Sequence, residues 1–166
     1  YRHAICVSGT HGKTTTTSML TQIFMEAGKD PTVMIGGSLP LLGAGHRVGQ
    51  GDTIILESCE YCNSFLNFFP TTAVVLDIDA DHLDFFKDLE DVKHSFRRFA
   101  ELVPADGLIV ANGDDKNTLD ALDGLSLGRF GMAETNDVYG TNFREGYRGF
   151  DVVCGGKPYC HLELGV

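Results

Sequence analysis

Ser8-Gly9-Thr10-His11-Gly12-Lys13-Thr14-Thr15-Thr16-Thr17 follows the apolar run Ala4-Ile5-Cys6-Val7 and leads into a segment of helical periodicity. A strand, then a glycine loop carrying Gly-Lys-Thr, then a helix, is the order that cradles nucleotide phosphates. Gly9 and Gly12 let the backbone turn tightly and bring its N–H groups close to oxygen anions. Lys13 can reach a terminal phosphate, and the Thr14 hydroxyl suits a magnesium ion. The spacing is short. Gly9 and Gly12 enclose two residues where the usual phosphate loop has four, and Val7 stands where its first glycine would be. An ordinary glycine turn at a strand end is the competing reading, and the flanking strand and helix favour the nucleotide.

Outward from the loop, Thr14 to Ala27 reads as a helix with Met19, Leu20, Ile23, Phe24 and Ala27 on one face and Gly28 as its stop. A short strand, Thr32-Val33-Met34-Ile35, ends at Gly36-Gly37, and the glycine-rich stretch from Ser38 to Gly51 reads as a long ordered loop. Two continuous apolar runs, Thr53-Ile54-Ile55-Leu56 and Ala73-Val74-Val75-Leu76, are expected as strands buried on both faces of a parallel sheet. Between them Asn63 to Phe69 is a short aromatic segment closed by Pro70. Asp88 to Val103 is an amphipathic helix, with Lys93, Arg97 and Arg98 as its solvated face. Leu108-Ile109-Val110-Ala111 is a further strand, a short helix follows near Leu119 to Leu122, and Leu125 to Phe130 supplies one more strand. From Asp137 onward, short runs separated by Gly and Lys-Pro turns read as an antiparallel meander. The expected division is an α/β core over 1–131 and a β meander over 132–166.

The 166 residues fit one domain with a sizeable core, and 43% hydrophobic with 22% charged residues is ordinary globular composition. A net charge of −10 with no basic stripe argues against a nucleic-acid partner and against anionic membrane surfaces. No apolar run is long enough for a membrane span and no signal peptide precedes the first strand, so the expected location is the cytoplasm. Tyr1 stands just before that strand, which fits a domain excised from a larger chain. The five cysteines are irregularly spaced, and Cys59-Glu-Tyr-Cys62 lacks the second close pair of a zinc site. Free buried thiols in a reducing compartment are the expectation.

Ligands of open α/β sheets sit outside the carboxyl ends of the strands. Three such ends carry suitable groups here: Lys13-Thr14, Glu57 and Asp81-His82. A carboxylate directly after an apolar strand is a good magnesium ligand beside a phosphate loop, and a histidine at a neighbouring end can ligate a second ion or hold phosphate. The alternatives are a helix cap or surface carboxylate for Glu57 and a structural histidine for His82. Asp77, Asp79, Asp81 and Asp84 form an acidic cluster, read mainly as a solvated loop in which Asp77 and Asp79 follow the strand pleat. His11 either touches substrate or phosphate or fills space at the helix start.

Gly9-Thr10-His11-Gly12-Lys13-Thr14-Thr15-Thr16-Thr17, Glu57-Ser58-Cys59-Glu60-Tyr61-Cys62-Asn63-Ser64-Phe65-Leu66 and Asp79-Ala80-Asp81-His82-Leu83-Asp84 together resemble the ATP loop, the acidic segment and the Asp-His segment of the Mur ligases. The likeness spans nearly the whole chain. It implies a P-loop NTPase-like, mostly parallel sheet flanked by helices, corresponding to the central ATP-binding domain of a three-domain protein. A domain binding the UDP-sugar would lie before it and another would follow.

The resemblance further implies an ATP-dependent amide-bond ligase of peptidoglycan precursor synthesis, joining L-alanine to UDP-N-acetylmuramate through an acyl phosphate. A tripeptide-recycling ligase shares the histidine-containing loop and is the alternative, with a tripeptide as the second substrate. A nucleotide kinase and a non-catalytic nucleotide-binding module are the readings outside the family. On the ligase reading ATP is held by Gly9, Thr10, His11, Gly12, Lys13, Thr14 and Thr15. Magnesium falls to Thr14 and Glu57, His82 holds a second metal ion, and Lys13, Glu57 and His82 carry catalysis. Cys59 and Cys62 stand at positions where the family usually has acidic or polar residues.

Overall fold

The apolar runs become neighbours in one sheet. The computed structural model describes residues 1–164, without the side chain of Tyr147. In chain order its elements are β1 (His3–Ser8), α1 (Lys13–Glu26), β2 (Thr32–Leu39), β3 (Ala44–Arg47), β4 (Thr53–Glu57), β5 (Thr72–Val75), α2 (Leu89–Ala100), β6 (Leu108–Asn112), α3 (Lys116–Ala121), β7 (Gly128–Gly131), β8 (Val138–Thr141), β9 (Gly149–Cys154) and β10 (Lys157–Glu163). Tight 3-10 turns occupy Tyr61–Asn67 and Glu145–Tyr147. The strands form a ten-stranded sheet in the order β10-β9-β8-β7-β6-β5-β1-β4-β2-β3.

Every pairing from β2 through β4, β1, β5, β6 and β7 to β8 is parallel, while β2–β3, β8–β9 and β9–β10 are antiparallel. The mostly parallel α/β fold expected from the buried apolar runs is therefore present. The antiparallel end is continuous with the core sheet, because β8 pairs parallel with β7 before β9 turns back. Residues 165 and 166, the end of the expected meander, lie outside the described residues.

From β1 the chain moves to one side to lay down β2, β3 and β4, then crosses to the other side for β5. β1 is thus the switch point of the sheet, the place where loops at the carboxyl ends separate and leave a crevice. Register brings Val7 opposite Glu57 on β4 and Ser8 opposite Val75 on β5. The phosphate-loop candidate, Glu57 and the tail after β5 consequently leave the sheet side by side.

The principal core lies around α2. Val92, Phe96, Phe99 and Ala100 recur on one face of that helix and are buried with Phe65, Ile78 and Leu122. Phe65 stacks on Phe99 with ring centres 4.6 Å apart and meets Phe96 edge-on at 5.3 Å. Truncating one such ring costs about 3–5 kcal/mol through lost transfer energy and the cavity left behind. A smaller cluster, Val33, Ile35 and Ile55, is covered by Leu20 and Phe24 of α1.

Several sequence expectations change. β2 does not stop at Gly36-Gly37 but continues to Leu39, and the expected loop from Ser38 contains β3, which pairs back with Met34 at His46. A Cβ on Gly45 would lie 2.7 Å from the Gly37 carbonyl oxygen, so glycine there permits a close strand approach that looked like loop composition. In α1 the fully buried positions are Thr17 and Thr21, while Met19 and Ile23 are exposed. Each of the two threonines donates its hydroxyl to the carbonyl four residues back, at 2.8 and 2.7 Å, which lets polar side chains enter the interface. Lys93 and Arg97 do not simply face water. Lys93 bridges Glu90 and Asp120, and Arg97 donates to the Asp123 carbonyl, tying α2 to α3. Of the five thiols only Cys6 is buried, and burial pushes it up to about 11.

Candidate active site

Residues 9–15 turn from β1 into α1 with Gly9 at φ 143° and Gly12 at φ 81°, both closed to ordinary side chains. A Cβ on Gly9 would stand 2.9 Å from Leu76 Cβ, so the loop also lies directly on the chain leaving β5. The first intrahelical bond of α1 runs from the Thr16 N–H to the Gly12 carbonyl. The amides of Lys13, Thr14 and Thr15 therefore precede the helical ladder. Gly12 supplies no side-chain cap and the first turn holds no acidic residue. An uncapped helix start with free donors and a positive dipole end is chemically an anion site.

Lys13 folds back over this loop. Its Nζ donates to the carbonyls of Gly9 at 2.6 Å and Thr10 at 3.2 Å, and to Glu60 Oε2 at 3.1 Å and Oε1 at 3.3 Å. The Glu60 side chain is 2% exposed, and Lys13 stands beside it as the partner that a buried carboxylate needs. Glu60 is braced by the turn that follows. Its carbonyl accepts the Asn63 N–H at 2.8 Å, Ser64 Oγ donates to Cys59 and Tyr61, and Ser95 Oγ donates to Asn63 Oδ1. Phe65 anchors the same turn in the core. Cys62 and Asn63 take left-handed backbone angles to complete it.

Glu57, the last residue of β4, accepts the Thr14 hydroxyl on Oε1 at 2.9 Å and the Gly36 N–H on Oε2 at 2.7 Å. Two adjacent oxygen ligands of an octahedral magnesium ion lie about 2.9 Å apart, so this oxygen pair fits that ion. Among the described residues no group of three or more His, Cys, Asp or Glu side chains is arranged to hold a metal alone. A cation here would complete its shell with water or ligand oxygens.

His82 sits at φ 51° beyond β5, with Nε2 3.8 Å from Glu60 Oε1 and 3.9 Å from Asp81 Oδ2. Tyr61 packs on its ring at 4.7 Å and donates its hydroxyl to Asp84 at 2.9 Å. The structure thus brings Thr14 to Glu57 and, separately, places both His82 and Lys13 against Glu60.

The tail after β5 does more than follow the strand pleat. Asp77 Oδ1 accepts the His11 N–H at 2.7 Å, and Oδ2 lies 2.6 Å from His11 Nδ1. The Asp77 carbonyl accepts the Thr10 N–H at 3.0 Å, and Thr10 Oγ1 accepts the Asp79 N–H at 2.9 Å. Asp77 is therefore part of the loop's support, which overturns its reading as a solvated residue. The sequence named Glu60 only within the acidic segment and Asp77 only within the acidic cluster, and gave neither a place beside the loop. The signal for Glu60 was its position three residues after Glu57, in a segment otherwise bound for the core. A cavity of about 440 Å³ lined by Pro104, Gly107, Leu108, Ser126 and Leu127 lies at the opposite ends of β6 and β7, and its sole titratable lining group is Asp137.

Residues 7–162 match the family model described as the Mur ligase middle domain. The whole chain is 42% identical over 171 residues to a UDP-N-acetylmuramate–L-alanine ligase of Caldanaerobacter subterraneus subsp. tengcongensis, and spans 37% of that protein. In three dimensions it is similar to the UDP-N-acetylmuramate:L-alanyl-γ-D-glutamyl-meso-diaminopimelate ligase of Neisseria meningitides, with TM-score 0.88 and 29% identity over 99% of this chain and 56% of that one. It is also similar to the UDP-N-acetylmuramate-alanine ligase of Thermotoga maritima, with TM-score 0.83 and 26% identity over 99% of this chain and 37% of that one. No helix among the described residues is long and apolar enough to cross a membrane. By its family model and its relatives, this chain belongs to the Mur ligase family.

Proposed function

We propose that this chain is the ATP-binding portion of a ligase that joins L-alanine to UDP-N-acetylmuramate. The observation that carries the reading is the open start of α1, with Lys13 on one side and the Thr14–Glu57 oxygen pair on the other. A chain that spans 37% of a relative so named supplies one part of the machinery, and the acceptor sites fall to the rest.

Gly9, Gly12 and the amides of Lys13, Thr14 and Thr15 would bind the β- and γ-phosphates, with Thr10 and His11 shaping the loop. Lys13 exchanges its contacts with the Gly9 and Thr10 carbonyls for phosphate oxygens while Glu60 keeps its charge compensated. Thr14 and Glu57 would hold magnesium, and His82 with Glu60 marks the place for a second metal ion. Bound metal supplies charge neutralisation at the transferred phosphoryl group. A carboxylate oxygen of the acceptor attacks the γ-phosphorus, the bond to the ADP oxygen breaks, and an acyl phosphate forms. The amine then attacks the acyl carbon, and a tetrahedral intermediate collapses with loss of phosphate and one amine proton. The protein's share in the first step is positioning and electrostatics.

A tripeptide in place of L-alanine is the second reading, favoured by the TM-score of 0.88 to the Neisseria ligase. The test is ADP release by the full-length protein containing this chain, with UDP-N-acetylmuramate plus either L-alanine or the tripeptide. L-alanine-dependent turnover is expected. Turnover with the tripeptide alone would replace the first reading with the second, and ATP binding without turnover on either would remove both.

A further inference from the structure

The loop is poorly supplied with positive charge for a site that takes a polyanion. Lys13 is already paired with buried Glu60, and the surrounding groups Glu57, Asp77, Asp79 and Asp81 are all acidic. The remaining cationic candidate on the loop is His11, between Gly9 and Gly12. Its side chain is 70% exposed, and Nδ1 is fixed 2.6 Å from Asp77 Oδ2. That contact requires a proton on Nδ1 when Asp77 is ionised, and leaves Nε2 directed away from Asp77. Asp77 simultaneously takes the His11 N–H, so ring and backbone are set by one carboxylate.

Asp77 is itself held. The next residue, Ile78, donates its N–H to Asp115 Oδ2 at 3.2 Å and accepts from Asn117 Nδ2 at 2.8 Å. Asp115 in turn caps α3, accepting the Thr118 N–H at 2.8 Å and the Thr118 hydroxyl at 2.6 Å. A chain of contacts therefore runs from the start of α3 through the β5 tail to the phosphate loop.

We propose that Asp77 is a positioning residue that holds His11 at the mouth of the loop as a charged hydrogen-bond donor to the phosphoryl group being transferred. The inference rests on the ligase reading above and deepens it. The charged groups facing the ring are Asp77 in contact and Asp79 and Asp81 further along the same tail, while Lys13 on the loop turns inward to Glu60. The hydrogen bond and charge of Asp77 hold the imidazole above its ordinary range, and Asp79 and Asp81 act in the same direction. A donor that acts on charge developing in the transition state lowers kcat when removed, and a donor that binds ATP uniformly raises KM instead.

The experiment uses the full-length protein with His11→Ala, Asp77→Asn and, as a control, Lys13→Ala. Asp77→Asn keeps an oxygen for the His11 N–H, so the loop stays supported. His11→Ala is expected to lower kcat about 100-fold with KM for ATP nearly unchanged. Asp77→Asn is expected to lower kcat about tenfold near neutral pH and to move the alkaline limb of kcat to lower pH, because the carboxylate that favours protonated His11 is gone. Wild-type kcat and an unmoved pH profile in both variants, with Lys13→Ala inactive, would overturn the assignment of Asp77 and leave the ligase reading intact. A raised KM for ATP with kcat unchanged would do the same. An active Lys13→Ala would instead bring down the ligase reading.

Discussion

The starts of α1 and α2 solve the same chemical problem in opposite ways. At α2, Asp88 accepts the Asp91 N–H at 3.0 Å, Asp91 reaches back to the Lys87 N–H at 3.0 Å, and Glu90 and Asp91 place negative charge in the first turn. Orphan amides and dipole are both answered inside the protein. At α1 a left-handed Gly12 offers no side chain, the first turn holds no acid, and the first helical residue is the cation Lys13. The helix that packs the core with Phe96 and Phe99 is capped, and the helix at the switch point of the sheet is left without a side-chain cap. With glycine at the cap, α1 forgoes roughly a few tenths of a kcal/mol of capping and keeps its first amides open to an incoming anion.

If the two helix starts differ in this way, the acidic first turn of α2 cannot be transplanted to α1 without effect. Thr15→Glu puts a carboxylate in the first turn of α1 at an exposed position. It should stabilise the helix by a few tenths of a kcal/mol while raising the Kd for ATP by about 100-fold through like-charge repulsion. Thermal unfolding and equilibrium ATP binding by the full-length protein check both halves, and an unchanged Kd would mean that phosphate binds elsewhere.

A smaller effect is expected behind the oxygen pair. A Cβ on Gly36 would stand 2.9 Å from Glu57 Oε1 and press on the carboxylate that faces Thr14. Gly36→Ala should raise the half-saturating magnesium concentration for activity about tenfold, as disturbed ligand support usually does. An unchanged magnesium titration would separate Glu57 from the metal.

The smallest expected effect lies at the capped helix. Asp88→Ala removes the α2 cap and should cost about 1 kcal/mol, lowering Tm by about 2–4 °C, with ATP binding as in the wild type. Weakened ATP binding would show that the two helix starts are not independent.

The fold was largely legible because buried parallel strands read as continuous apolar runs and α2 carries a regular apolar stripe. β3 was not, since its Gly45 serves close strand contact and composition alone cannot tell that from a loop. The buried side of α1 was also misread, because Thr17 and Thr21 satisfy their hydroxyls within the helix and occupy places expected for Met19 and Ile23. At the site, residues that act directly after a strand or in the glycine loop could be found from their neighbours in sequence. Glu60 and Asp77 act through contacts 47 and 66 residues away along the chain, with Lys13 and His11. Such pairings come from the sheet order, so the spacing of Glu60 from Glu57 marks the residue without revealing its partner.

On the proposed reading the open start of α1 takes a magnesium-bound nucleotide through Thr14 and Glu57. Equilibrium binding of ATP to the full-length protein, with magnesium present and with it chelated, tests this most directly when repeated on Glu57→Ala. The expected result is saturable one-to-one binding that weakens about tenfold or more on chelation in the wild type, and a Glu57→Ala variant that no longer responds to the metal. Equally tight binding with and without magnesium, in both proteins, would contradict it.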